Sequence, residues 1–117
     1  MKENLIDTKT FDFAIQIIDL YKLLIKENEY VISKQLLRSA TSIGANVQEA
    51  SAAFSKKDFT YKMSIASKEA RETKYWLKLL DHSSITEINI NNYLIEIDQI
   101  IKILTRIVKT SSENSTK

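Results

Sequence analysis

The 117-residue chain has no cysteine, no proline and a single glycine, Gly44. Without cysteine there is no disulfide framework, no thiolate nucleophile and no cysteine zinc site, and a reducing cytoplasm is the compartment that fits. Without proline, and with one glycine, the chain lacks most of the residues that set turns and hairpins, so an all-helical chain is the economical reading. No apolar run approaches the roughly 20 residues that cross a bilayer. The opening residues, Met1-Lys2-Glu3-Asn4-Leu5-Ile6-Asp7, lack the apolar core of a signal peptide. A soluble, non-exported protein with no membrane contact is expected.

What the chain does contain is ordinary for a globular protein: 44% hydrophobic and 27% charged residues. That is enough to bury one core, and residues 1–117 read as a single domain. The net charge is only +2, so its distribution matters more than its size. Between Ser55 and His82 seven bases (Lys56, Lys57, Lys62, Lys68, Arg71, Lys74, Lys78) face four acids (Asp58, Glu69, Glu72, Asp81), so the excess sits in that one segment.

The stretch from Gln35 to Phe54 organises the rest. Leu36, Ala40, Ile43, Val47, Ala50 and Phe54 alternate steps of four and three, the seam of a helix packing lengthwise on other helices. Beside that seam Gln35, Ser39, Ser42, Asn46 and Glu49 form a parallel polar stripe. Before it, Ala14, Ile17, Ile18, Tyr21, Leu24 and Ile25 predict a first helix over about residues 10–28, with Lys2 to Asp7 as a lead or docking arm. Ser33 is the expected N-cap of the second helix, over about 33–54. Ser55 and Asp58 have capping-box spacing ahead of a third helix over about 56–81, whose seam is Phe59, Met63, Ala66, Ala70, Thr73, Leu77 and Leu80. A wide apolar face predicts a fourth helix over about 89–109, followed by a polar tail at 110–117. Four such helices joined by short loops make an up-down-up-down antiparallel four-helix bundle the expected fold.

Three kinds of chemistry bear on these residues. Bundles can hold two metals on inward Glu and Glu-x-x-His groups; here Glu49, Glu69 and Glu72 have no Glu-x-x-His to join, and the sole histidine, His82, lies at a helix end. Pairing of Glu69 and Glu72 with Arg71, Lys68 or Arg38 is expected instead, and no metal or cofactor. Ser42, Asn46 and Glu49 lack a base to activate the serine, so no catalytic residues are assigned and the protein is read as a non-enzyme. Ser42, Gly44, Asn46 and Glu49 are read as a structural motif that fixes helix register, with Gly44 marking a close helix crossing or slight kink. Nucleic-acid binding would use Arg71, Lys74 and Lys78, joined by Lys68 and by Lys34 and Arg38 of the second helix, as phosphate contacts for RNA or DNA. Trp76, Ile95 and Ile103 are surplus apolar residues suited to an oligomer interface or, in the alternative reading of the chain as an interaction scaffold, to a protein partner.

The run Ser42-Ile43-Gly44-Ala45-Asn46-Val47-Gln48-Glu49-Ala50, followed by Lys57-Asp58-Phe59, Ile65-Ala66, Lys68-Glu69-Ala70-Arg71-Glu72-Thr73 and Tyr75-Trp76-Leu77, resembles the bacterial four-helix-bundle proteins named for 23S ribosomal RNA intervening sequences. The resemblance spans about residues 11–104 and rests chiefly on the Ser-Ile-x-Ala-Asn-[Ile/Val]-x-Glu run. Gly44 stands where many members carry Pro, and Ala50 where many carry Gly. The resemblance implies an antiparallel bundle that assembles as a homopentamer without known catalytic activity. It also implies kinship with the accessory protein of diversity-generating retroelements, which works with a reverse transcriptase and nucleic acid.

Overall fold

The structure is a computed structural model that describes residues 2–115, with side chains described for 5–113. Four helices follow one another: α1 (Lys2–Lys26), α2 (Ile32–Ser51), α3 (Lys56–Ser83) and α4 (Asn91–Ser115). They lie along a rod about 50 Å long and 22–23 Å across. Each helix packs on the next in sequence, whereas α1 and α4 touch only slightly. The core is filled from all four by Phe13, Ile17, Leu20 and Leu24, by Leu36, Ile43 and Val47, by Met63, Leu77 and Leu80, and by Ile97, Ile100 and Leu104. Ala40, Ala66 and Ala70 are wholly buried among them. Their short side chains let the α2 and α3 backbones come close, which long residues at those levels would prevent.

The α3 seam read from the sequence is buried from Met63 to Leu80, with Phe59 half-buried at its start. In α1 the buried line runs one position round from the expected one: Ile6, Thr10, Phe13, Ile17, Leu20 and Leu24 face inward, while Ala14, Ile18, Tyr21 and Ile25 are half-buried at the edge. Both lines have helical spacing, and the difference is set by which face α2 covers. Residues 2–7 are not a separate arm; they form the first turns of α1, anchored by the buried Ile6. At the other end α4 continues to Ser115, so most of the expected tail is helical, and Ser111 is buried with its hydroxyl bonded to that of Thr60. Residues 116–117 of that tail lie outside the described residues.

The turn between α1 and α2 is built from groups that lie outside both helices. α1 closes with Asn28 in the left-handed region (φ 67°), where asparagine is tolerated better than most residues. There Asn28 N–H donates to the Ile25 carbonyl and Glu29 N–H to that of Leu24, both at 3.0 Å. This paired closure satisfies two terminal carbonyls and turns the chain so that Glu29 stands over the start of α2. The Glu29 carboxylate then accepts from the N–H groups of Val31, Ile32 and Ser33 at 3.0, 2.9 and 2.6 Å. Ser33, the expected cap, is instead inside the helix and donates its hydroxyl to the Glu29 carbonyl at 2.7 Å. α2 ends at Ser51, short of Phe54, whose side chain is 102% exposed and takes no part in the seam. α3 starts as expected, with Ser55 Oγ accepting from Asp58 N–H at 3.1 Å. Across the same end of the rod that Glu29 occupies, Thr86 in the α3–α4 loop donates to Glu27 at 2.6 Å and ties the two loops together.

Gly44 faces α1, where a Cβ would meet the Thr10 carbonyl and hydroxyl at 3.6 Å. That is ordinary contact with room for a methyl group, so the crossing does not require glycine. Gly44→Ala is therefore expected to stabilise the protein by about 0.5–1 kcal/mol through helix propensity. Denaturant unfolding gives the sign; a loss of stability would mean that the α1–α2 approach is tighter than these distances.

Candidate nucleic-acid interface

The polar stripe of α2 meets α3 through side chains that satisfy one another. At its buried level Thr73 Oγ1 donates to Ser39 Oγ at 2.9 Å. Further out, the Arg38 guanidinium bonds to Glu72 and reaches Glu69 at 3.4 Å, while its Nε donates to Gln35 at 3.1 Å. Glu72 also accepts from the indole N–H of Trp76 at 2.9 Å. At the far level Lys62 donates to Glu49 at 2.8 Å, and that carboxylate holds the Lys62 ammonium above its ordinary pKa. Ser42 and Asn46 do not cross to α3 in this network: the Asn46 amide donates back to the Ser42 carbonyl at 2.8 Å. Of the motif residues, Glu49 thus ties two helices, Asn46 bonds within its own, and Gly44 looks toward α1. Among the described residues no three His, Asp or Glu groups stand close enough to hold a metal ion.

The six bases singled out from the sequence do not share one surface. Arg38 lies on the α2 side, already engaged by two carboxylates. Lys34 is exposed on α2 and Lys68 on α3. Arg71 and Lys74 turn to α4, where Arg71 Nη2 donates to Thr105 Oγ1 at 3.0 Å and Lys74 pairs with Asp98 at 2.7 Å. Lys78 continues their line, seven residues beyond Arg71, and is exposed.

A second cationic row lies on the outer side of α4, where the stronger apolar signal of that helix masks it in the sequence. Lys102, Arg106 and Lys109 are all exposed and fall at steps of four and three on the side of α4 away from Ile100 and Leu104. None of the three has an ion pair among the described residues. The signal was available as basic residues at helical spacing opposite the apolar stripe. The two rows stand on different sides of α4: Arg71 and Lys74 meet it at Thr105 and Asp98, whereas Lys102 borders the furrow toward Leu5 and Lys9 of α1, and Arg106 lines a hollow with Ile6 and Asp7.

The apolar candidates do not share a surface. Trp76 is half-buried toward α2, fixed by its bond to Glu72. Ile103 lines a shallow furrow between α4 and α1 with Leu5, Lys9, Gln99 and Lys102. Ile95 is 53% exposed on the outer side of α4. No helix among the described residues is long and apolar enough to cross a membrane.

Comparison with known proteins agrees with this geometry. The family model for 23S rRNA-intervening sequence proteins matches residues 2–106. The crystal structure of a protein of unknown function from the S23 ribosomal protein family of Bacteroides thetaiotaomicron VPI-5482 is 46% identical, with a TM-score of 0.88 over 93% of this chain and 99% of that one. No curated protein matches. Four helices in this arrangement, the Ser-Ile-Gly-Ala-Asn-Val-Gln-Glu run on the second of them, and a match that spans residues 2–106 lead to one conclusion: the chain belongs to the 23S rRNA-intervening sequence protein family.

Proposed function

We propose that this protein is a non-enzymatic, cytoplasmic, homo-oligomeric bundle of up-down-up-down antiparallel helices that binds RNA or DNA through the basic faces of α3 and α4. The observation that carries the reading is the basic flank where α3 meets α4, formed by Arg71, Lys74 and Lys78, with Lys102, Arg106 and Lys109 adding a second, unpaired basic row on the outer side of α4. A row of ammonium and guanidinium groups on rigid helices, with the Thr105 hydroxyl between, is suited to phosphates, whose binding releases condensed counterions. Antiparallel order is supported by the cross-helix pairs: Ser39 meets Thr73 while Glu49 meets Lys62, so numbers rise along α2 as they fall along α3. The homopentamer is carried over from the family resemblance. Apolar groups on different sides, Trp76 toward α2 and Ile103 toward α1, suit head-to-tail contacts that close into a ring.

Labelled structured RNA, titrated at two salt concentrations with light scattering in the same buffers, tests the reading. Contact with about four phosphates should cost on the order of 100-fold in affinity for a fourfold rise in salt. Charge reversal at Arg71, Lys74 and Lys78 should abolish retention without changing a particle mass of five times 13.5 kDa. Absence of binding even at low salt would favour the interaction-scaffold reading, for which the exposed Ile95 is the specific support.

A further inference from the structure

The outward crest of α3, opposite its buried seam, carries a regular sequence of its own. Lys57, Tyr61, Lys68, Arg71, Tyr75 and Lys78 follow one another at helical steps, all exposed, and no acid falls on the line. Tyr61 is 61% and Tyr75 56% exposed, and neither hydroxyl has a hydrogen-bond partner among the described residues. Fourteen residues separate the two rings, roughly 21 Å along the helix axis. The second ring is held in place: Tyr75 meets Trp76 edge-on, with centroids 5.1 Å apart at 67°. Trp76 is in turn fixed to Glu72, and Glu72 to Arg38 of α2. An exposed ring that rests edge-on against an indole fixed by its own hydrogen bond is a stacking surface with little freedom left to lose.

We infer that the α3 crest is a track for single-stranded nucleic acid, with bases stacking on Tyr61 and Tyr75 and phosphates held by Lys68, Arg71 and Lys78. The inference rests on the nucleic-acid reading above and narrows its ligand. In a duplex the base faces are already stacked on one another, and rings on a convex helix surface reach only the backbone. A single strand can turn successive bases onto separated rings while its phosphates follow the cations between them. Stacking of this kind accepts any base, since each has a π-face, and its strength is independent of salt in a way that phosphate contacts are not.

Fluorescence anisotropy on the full chain tests this with labelled oligouridylate of about 12 nucleotides, the matching oligodeoxythymidylate, and an RNA duplex of the same length. Either single strand should bind more tightly than the duplex. Tyr61→Ala and Tyr75→Ala should each weaken single-strand binding by about 5- to 100-fold, leave the salt slope unchanged, and leave duplex binding unchanged. Tyr75→Phe, which keeps the ring, should retain parental affinity. Both rings are exposed, so melting curves of the variants should overlay the parent and separate lost stacking from lost fold. Equal affinity for strand and duplex, with both alanine variants unaffected, would overturn the track and leave the basic flank standing. Failure of all three probes to bind at low salt would overturn the flank as well.

Discussion

Glu29→Ala is expected to destabilise the protein by about 2–3 kcal/mol, a fall of roughly 10 °C in Tm for a chain of this size. Its carboxylate accepts three of the amide donors that the start of α2 would otherwise leave without partners. These are charge-assisted bonds at the positive end of a helix dipole, and the carboxylate is largely withdrawn from solvent, Glu29 being 7% exposed. Loss of the side chain strands those amides where water has limited access. Glu29→Gln keeps an acceptor oxygen and gives up the charge, and should recover about half the loss. Thermal melts of the two variants decide the point. If alanine melts within about 2 °C of the parent, the amides find other partners and the cap is worth little.

Leu36→Ala and Phe54→Ala form the second test, because one periodicity places both residues on the α2 seam. Leu36 is fully buried among residues of the core, so truncation removes transfer energy and leaves a cavity, a cost of roughly 2–5 kcal/mol. Phe54 stands beyond the end of α2 with its ring in solvent, and its truncation should change stability by less than about 0.5 kcal/mol. Chemical denaturation should therefore separate the two variants by at least about 2 kcal/mol. Similar losses for both would mean that Phe54 is covered in solution, by another copy or by its own loop folding back.

The contrast between these residues shows what a helical repeat encodes. From Met63 to Leu80, spacing alone identifies the buried side of α3, because apolar and small residues keep the steps of three and four there without a break. Phe54 continues the arithmetic of α2 after the backbone has left the helix at Ser51; periodicity carries no information about where a helix stops. In α1 apolar residues occupy most of the circumference, so Phe13 and Leu20 could not be ranked above Ile18 and Tyr21 until α2 was seen to cover them. The Glu29 cap is not legible in the sequence because capping by a residue from the preceding turn depends on Asn28 adopting a positive φ, which local composition does not announce.

The candidate interface was half legible. Arg71, Lys74 and Lys78 lie on one line of α3 by spacing, and that line does face a common flank. Arg38 looked equivalent by charge, yet its guanidinium is committed to Glu72 and Glu69 across the α2–α3 seam. The sequence holds both the charge and the acids that neutralise it, but which meets which is a matter of helix rotation. Lys102, Arg106 and Lys109 had the required spacing all along, hidden by the stronger apolar signal of the same helix.

The slight contact between α1 and α4 bears on how the protein reaches this state at all. Nearly all of its packing joins helices that are consecutive in the chain, so each pair meets across a short loop and little entropy is spent on bringing distant segments together. The barrier to folding is correspondingly low. Topologies of this kind belong to the microsecond-to-millisecond regime, with apolar surface and unfinished seams exposed only briefly on each newly made chain.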